Sequence, residues 1–441
     1  VSVEQVVPPA GDGAHPRVCV VSAVAPYPVD AGKKVVLAGL LDYLADRFGP
    51  ENVHYVLVGD RSADVTRFPA VLHRIAGPSR RDVLWALASS VTTGRSSLQE
   101  ALLRSSRVGA DLDRLLRDLA PDVEIYDTVR LGQYVEHGAA AHRVLYVDDL
   151  FSERYSTMLR AMRRHPEIEV DALGNFRAHV PTRLRPLASR PSVQRVLLRL
   201  ERRLVRRSED RQVRRFARSL LVNPGEAAAL ADRAGADRVT AIPPLLCTAG
   251  APPRRAPSAR PVFVFLGLLS LPHNDDGLRC FLRDCWPELL RQLPDAQLRV
   301  IGREPRPGLS EVIERYRASV VLEGYVEDLD SALSTATALV NPLRFGSGVK
   351  IKVIEALGRG VPIVSTPVGA DGIAAGLGEG LLVGDSTEEF VRWMVQLVDP
   401  ATNEETSRAA AAHFARVYSR TAGFRAYDTA ILTPELLGRV G

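Results

Sequence analysis

The sequence predicts an α/β protein of two doubly wound domains that face each other across a cleft. Three observations carry this. Short apolar runs of the buried-strand kind alternate with helical stretches along a chain of 441 residues, the pattern of parallel sheets with crossover helices. The alternation is interrupted at 248–261 by TAGAPPRRAPSARP, rich in proline, arginine and small residues, and then resumes. The length suits two domains. The expected organisation is a tail at 1–16, a first domain at 17–247, a linker at 248–261, a second domain at 262–403 and a closing helical segment at 404–441.

Composition narrows the class. Hydrophobic residues make up 46% and charged residues 25%, the balance of a globular chain. No apolar run reaches the roughly 18–20 residues of a membrane span. The first residues, VSVEQVVPPAGDGAHPR, lack the basic and apolar regions of a signal peptide. Cys19, Cys247, Cys280 and Cys285 are scattered without metal spacing and read as reduced core residues of a cytoplasmic protein. Arginine and alanine richness points to a GC-rich bacterial genome.

In the first domain, Val18 to Ala25 (VCVVSAVA) is a buried-type strand, followed by a loop and a helix from Val35 to Phe48. Gly32 sits at the turn, with Lys33 and Lys34 at the helix start. Asn52 to Val58 is the second strand, and residues 80–120 read as helices around a Ser/Thr/Gly-rich turn. Pro121 to Tyr126 and Arg143 to Val147 are further strands. The latter runs into Asp148 and Asp149, candidate catalytic acids because ligand groups collect at the carboxyl ends of strands in open α/β sheets. The alternative is that Asp149 or Ser152 caps the next helix. Residues 154–218 are dense in arginine, with helical spacing of apolar residues over 193–218. This is either a peripheral contact with an anionic membrane or a solvated helix face. Sparse aromatics and the lack of a recognition motif argue against nucleic acid. Ser219 to Val222 is the last strand of this domain, and Val239 to Ile242 leads to the linker.

The second domain opens with the strand Val262 to Leu266 and Gly267, which permits close ligand approach. A helix over Leu278 to Leu293 carries Trp286-Pro287, and Leu298 to Ile301 is a strand. Arg303, at its carboxyl end, is a candidate diphosphate or base-side contact. Val320 to Leu322 precedes Tyr325. The most informative stretch is Thr337 to Gly372. Ala338 to Asn341 forms a strand, Gly346-Ser347-Gly348 a tight loop, and a largely apolar helix starts near Val349. Gly358 and Gly360 end that helix, and Ile363 to Ser365 is the next strand. The helix N-terminus attracts an anion. Lys350 and Lys352 add two charges there, and Glu355 follows one turn on. This set suits a ligand with a diphosphate and a diol: a nucleotide-sugar, with Glu355 on the ribose hydroxyls. An ordinary tight turn with solvated lysines is the alternative. Leu381 to Val383 is a final strand, and helices from Thr387 and Glu404 close the chain.

Pro342, Leu343, Gly346, Gly348, Lys350, Lys352, Glu355 and Ala356 spell P-L-x-x-G-x-G-x-K-x-K-x-x-E-A. This resembles a subgroup of the retaining glycosyltransferases of family 4, which have the GT-B fold. Pro272-x-Asn274 and Asp149-x-x-Ser152-x-Arg154-Tyr155 resemble the same subgroup. The resemblance implies that Asp30, Gly32 and Lys33 line the cleft, that Gly267 and Asn274 border the diphosphate, that Tyr325 lies by the base, and that the last helix crosses back to the first domain. The wider family has two glutamates separated by seven residues. The second matches Glu355, but Ser347 stands at the first, so contact with the donor sugar passes to loop amides or is missing.

The function expected is transfer of a sugar from a nucleoside-diphosphate-sugar to a hydroxyl-bearing acceptor, with retention and without a metal or other cofactor. Asp149, Asp148 and Lys350 are the catalytic candidates. Gly32, Lys33, Gly267, Asn274, Arg303, Tyr325, Arg344, Gly346, Ser347, Gly348, Lys350, Lys352 and Glu355 are the donor-binding candidates. A nucleotide-sugar epimerase, a phosphorylase, a dinucleotide-dependent oxidoreductase and a non-catalytic nucleotide-binding module are the alternatives.

Overall fold

A computed structural model describes residues 16–29, 32–59, 68–91, 93–135, 141–164, 190–246 and 260–440. The expected tail (but for its last residue), Asp30, Cys247, most of the linker and the 165–189 part of the arginine-rich region lie outside the described residues. The chain divides into two units: residues 1–155, 171–247 and 423–441 form the first, and 156–170 and 248–422 the second.

The first unit is built on a seven-stranded sheet, β1 (Val18–Ser22), β2 (Val53–Val58), β3 (Val71–Ile75), β4 (Val123–Asp127), β5 (His142–Asp148), β6 (Arg218–Leu221) and β7 (Val239–Ala241). The spatial order is β3-β2-β1-β4-β5-β6-β7, and all pairs are parallel. Every residue of β1, β2 and β4 is buried, as a sheet covered on both faces requires. The first strand ends at Ser22, short of the Ala25 read from the sequence. Strand β3 had no counterpart in that reading: VLHRI is a half-exposed edge whose His73 and Arg74 break the apolar run. Its His73 Nε2 lies 3.0 Å from His54 Nδ1 on β2.

The helices of this unit are α1 (Gly32–Phe48), α2 (Arg80–Ala86), α3 (Leu98–Ala101), α4 (Ser106–Leu119), α5 (Thr128–Gly132), α6 (beginning at Phe151), α7 (Pro191–Val213) and α8 (Pro224–Ala234).

The second unit has a six-stranded sheet, β8 (Val262–Leu266), β9 (Gln297–Ile301), β10 (Val320–Gly324), β11 (Ala338–Asn341), β12 (Ile363–Ser365) and β13 (Leu381–Val383). Its order is β10-β9-β8-β11-β12-β13, again all parallel. Its core packs Phe263, Phe265, Phe281, Trp286 and Phe390 with the aliphatic side chains of β9 and β11. Helix α9 (Pro272–Cys280) begins earlier than the Leu278 expected. It continues through a π-turn at Phe281–Cys285 into the helical segment Trp286–Gln292. That wide turn accommodates Pro287, which has no N–H to give and whose ring would clash in a regular α-helix. Helix α10 (Ile351–Gly358) carries the motif glutamate, and α11 (Pro400–Val417) packs on it, with Ser407 Oγ donating to Gly360 O at 2.6 Å. Of the closing segment, α11 thus belongs to the second unit. Residues 423–441 belong to the first, including most of α12 (Arg420–Ile431). Asp428 of α12 accepts from Tyr43 and Arg47 of α1 at 2.7–3.0 Å.

Candidate functional site

In each sheet the strand order reverses once, between β1 and β4 in the first and between β8 and β11 in the second. Crevices for ligands open at such switch points, at the carboxyl ends of the strands. Gly32 and Lys33 after β1, and Gly267 after β8 with the 346–355 stretch after β11, fall at these two places, while Asp148, Arg303 and Tyr325 lie at the ends of other strands of the same sheets; each is described within its own unit.

In the second unit, Gly267 follows β8 and Gly346 to Gly348 follow β11. Gly267 (φ 159°), Gly346 (φ 141°) and Gly348 (φ 71°) all have positive φ. The last two occupy conformations that side chains disfavour. Gly267 also lies so close to Asn274 that a Cβ would meet its amide nitrogen at 2.8 Å, and a Cβ on Gly302 would run into the Gly267 carbonyl oxygen at 1.9 Å. The loop backbones therefore approach one another too closely for a side chain at either glycine. Arg344, Phe345, Gly346, Pro367, Val368 and Asp371 line part of a cleft of about 300 Å³ beside the loop.

The helix begins at Ile351, two residues later than the sequence reading, because Lys350 keeps a non-helical ψ of 89° as the N-cap. Lys350 Nζ donates to Gly348 O at 2.5 Å and to Ser347 O at 3.4 Å, so this lysine braces the loop. Lys352 Nζ reaches Asn274 Oδ1 at 3.2 Å and stands 4.6 Å from the centre of the Phe265 ring. Among the described residues no carboxylate pairs with it. Burial, with Lys350 nearby, pushes its pKa down to about 7. Glu355 is half-buried, and no hydrogen bond to its carboxylate is made among the described residues. Burial pushes its pKa up, against the pull of Arg359. The site thus holds an under-neutralised cation at the start of a helix and, one turn along it, a carboxylate with no hydrogen bond among the described residues.

The flanking candidates differ among themselves. Asn274 donates to Leu268 O at 2.9 Å while accepting from Lys352, which links the first loop to α10. Arg303 stacks on Tyr325 at 4.8 Å, and Tyr325 is 65% exposed, so it is not there to fill a core. Arg344 forms a two-pronged ion pair with Asp276 at 2.8 and 2.9 Å. That gives its charge a fixed partner. His273 packs edge-on against Phe345.

In the first unit, Gly32 opens α1. Lys33 is not an open phosphate ligand as its place at a helix start suggested: Nζ lies 2.6 Å from Asp127 Oδ1 and 3.1 Å from Asp148 Oδ2. Ser22 Oγ donates to the other Asp127 oxygen at 2.7 Å. Burial lowers the lysine's affinity for its proton, but the two carboxylates outweigh it and the pKa rises. Asp148 shares this crowd. Burial pushes its pKa up despite Lys33. Its φ of 70°, and the 65° of Thr128 next to Asp127, place strained non-glycine residues at the ends of β4 and β5. Such strain tends to collect at functional sites. Asp149 is buried and accepts from Arg154 Nε and Nη2 at 3.0 and 2.5 Å. It therefore does not cap α6. The first N–H groups of that helix go elsewhere: Leu150 to Glu226 at 2.7 Å, and Ser152 to Glu209 at 3.0 Å.

Glu209 belongs to α7, the longest described helix of the arginine-rich region, and Glu201 on the same helix accepts from the N–H groups of Leu98 and Gln99 at 2.7 and 3.1 Å. The inward face of α7 is thus partly acidic, and its arginines 199, 202, 203, 206 and 207 point outward. Asp127, Glu201 and Glu209 escaped the sequence reading. Asp127 stands at the carboxyl end of a strand, the same signal that singled out Asp148. The two glutamates were hidden among the arginines.

Residues 260–399 match the family model "Glycosyl transferases group 1". They make up a domain of that kind within the second unit. An uncharacterized 44.6 kDa protein in the cps region of Klebsiella pneumoniae is 26% identical over 141 residues, 30% of this chain. The match spans 36% of that relative's own length. Among solved structures, sucrose-phosphate synthase of Thermosynechococcus elongatus superposes with a TM-score of 0.60 at 13% identity, over 94% of this chain and 98% of that one. HepE of Anabaena in complex with UDP gives 0.60 at 12% identity, over 94% and 99%. The fold is therefore that of the GT-B glycosyltransferases. Among the described residues, no helix is long and apolar enough to cross a membrane.

Proposed function

We propose that this chain is a retaining glycosyltransferase of family 4 that moves a sugar from a nucleoside diphosphate to an acceptor hydroxyl without a metal, on the cytoplasmic side of the cell. The observation that carries the reading is the combination at the Gly346–Glu355 loop and helix. Among the described residues, Lys352 at the start of α10 lacks an anionic partner and Glu355 lacks a donor. A nucleotide-sugar supplies both, the diphosphate for the cations and a ribose diol for the carboxylate. The family match at 260–399 and the UDP bound by HepE support it.

In this mechanism the bond from the sugar to the diphosphate breaks as negative charge grows on the leaving oxygen. Lys350, Lys352 and the N–H groups at the start of α10 meet that charge. Preorganised groups of this kind are worth about 10²–10³ in rate each. The acceptor oxygen attacks the same face of the sugar, and Asp148 or Asp149 is the polar group we assign to the reacting sugar or the acceptor hydroxyl. With glutamate replaced by Ser347, loop amides would bind the donor-sugar hydroxyls.

Calorimetric titration with UDP, GDP, ADP and dTDP tests the donor site. Glu355→Ala and Lys350→Ala should each weaken the binding of the preferred diphosphate at least about tenfold, roughly the value of one charged hydrogen bond. Unchanged affinity for every diphosphate would overturn the assignment. Epimerised donor in the absence of an acceptor would instead favour an epimerase on the same fold. For α7, exposed Val193, Val196 and Leu200 beside outward arginines support a peripheral contact with anionic lipid. Co-sedimentation with phosphatidylglycerol vesicles checks it.

A further inference from the structure

We infer that the first unit carries a saccharide-binding cleft centred on Trp85, which holds a sugar residue of the acceptor. The inference deepens the glycosyltransferase reading and rests on it. The cleft has a volume of about 690 Å³ and is lined by Asp82, Trp85, Arg104, Asp113, Gln133 and Tyr134, among others. This falls in the range of about 300–1,000 Å³ usual for small-molecule sites. Its walls come from α2, which follows β3, from the N-terminal half of α4, which leads into β4, and from the residues after α5, which follows β4. The cleft therefore lies toward the carboxyl ends of the first sheet, the side that also bears Asp127 and Asp148.

Three features fit a sugar. Trp85 is 68% exposed. A tryptophan left in water presents a flat apolar face that gains by being covered, and the C–H face of a pyranose is flat and apolar. The five-residue π-turn Leu87–Val91 follows directly after α2, a local irregularity common at functional sites. Around the ring stand groups matched to hydroxyls. The Asp82 oxygen Oδ2 accepts from Ser79 N, Ser79 Oγ and Ser105 Oγ at 2.9–3.2 Å, which fixes the carboxylate and leaves Oδ1 without a hydrogen bond among the described residues. Asp113 is likewise held through one oxygen, by Arg117 at 2.7 Å.

Gln133 lines the same cleft. Its amide nitrogen donates to Glu100 O and Arg130 O at 3.0 and 2.6 Å, so the amide is locked in orientation. Its Oε1 is shut off from solvent and has no hydrogen-bond partner among the described residues, so Gln133 serves the cleft as a fixed part of its lining and not as an acceptor for a ligand hydroxyl. Tyr134 is fixed behind it by accepting from Ser105 N at 2.9 Å. Asp82 and Asp113 stand against one cation in the lining, Arg104, itself tied to Ser96 Oγ at 2.7 Å, so the wall has no excess positive charge for a phosphate or an anionic bilayer, and the polar lining disfavours a lipid tail. A neutral polyol with one apolar face satisfies the tryptophan ring and the open carboxylate oxygens together.

The test uses the full chain on an array of neutral oligosaccharides, including gluco-, galacto- and manno-configured trimers, followed by calorimetric titration of the best binder into the wild type and each variant. Trp85→Ala should weaken binding about tenfold or more, the size of an aromatic anchor's loss, and Asp113→Ala should weaken it severalfold. Trp85→Phe should retain most of it. Because Trp85 is exposed, its alanine variant should melt at the wild-type temperature. Saccharide binding that is absent from the wild type, or equal in Trp85→Ala, overturns the inference. So does Trp85-dependent binding to phosphatidylglycerol vesicles without glycan binding. Calorimetry with nucleoside diphosphates runs in parallel. Loss of diphosphate affinity in the wild type would overturn the donor site while leaving the glycan result standing, and Trp85→Ala should leave diphosphate affinity unchanged.

Discussion

Lys33 and Lys352 occupy like positions in the two units. Each sits at the start of a helix beside the switch point of a parallel sheet, and each is drawn out of water. Lys33 has two carboxylates within 3.1 Å. Lys352 has an amide oxygen and the face of a ring. The first lysine keeps its proton more firmly than in water, and the second holds it at only about pH 7. A charge with its counter-charge already in place contributes to the fold. One without it is, in the function we propose, held ready for an anion that arrives later. Position in the sequence does not separate the two roles; the presence of a partner does.

The sharpest way to break this contrast is to remove the partner. Asp127→Ala leaves Lys33 beside a single, half-satisfied acid and should destabilise the protein by about 3 kcal/mol, in the range for breaking a buried pair. Urea unfolding measures it, and a loss under 1 kcal/mol would mean that the ion cluster is ornamental. Exchanging the lysines comes next. Lys33→Met should cost stability and leave nucleoside-diphosphate affinity nearly intact, whereas Lys352→Met should weaken that affinity about tenfold with little change in stability. The reverse pattern in calorimetry and melting would invert the assignment.

A subtler effect is in protons. An anion beside Lys352 raises its pKa from about 7, so binding near neutral pH takes up protons, and affinity falls as pH rises above 7. Titrations in buffers of different ionisation heat read this directly. Lys352→Met should abolish the uptake.

The smallest effect concerns Glu201, whose burial lifts its pKa to about 7. The folded state then holds a proton that the unfolded chain releases near pH 4.5. This group's contribution is complete below about pH 4.5 and is lost as pH rises through 7, at no more than about 1.4 kcal/mol per pH unit. Glu201→Gln should flatten that part of the stability profile.

These contrasts also mark what the sequence made legible. The second unit was read closely because its chemistry is local: Gly346, Gly348, Lys350, Lys352 and Glu355 lie within one loop and one helix. The strands of both sheets other than β3 were legible because burial on both faces produces unbroken apolar runs, which the half-exposed β3 lacks. What was not legible depends on distance. The partner of Lys33 lies 94 residues away, and the donor on Asp149 became meaningful only once Arg154 had turned back along α6. Arg344 reads as a donor-binding residue, and its pairing with Asp276, 68 residues away, is seen only in the fold. Gln133 carries no sequence signal at all, since its unsatisfied oxygen arises from how α5 ends against neighbouring backbone.

Helix α7 has a further consequence. By placing Glu201 at the start of α3 and Glu209 at the start of α6, it acts as a jig that sets two other helices to length and register. Its inward residues answer to that alignment; of its outward arginines, Arg211 ties to Arg95 O at 2.9 Å, while Arg202, Arg203 and Arg206 make no ion pair among the described residues. Such a division lets the outer surface change freely between related chains, or be rewritten by an engineer, while the frame beneath stays in tolerance.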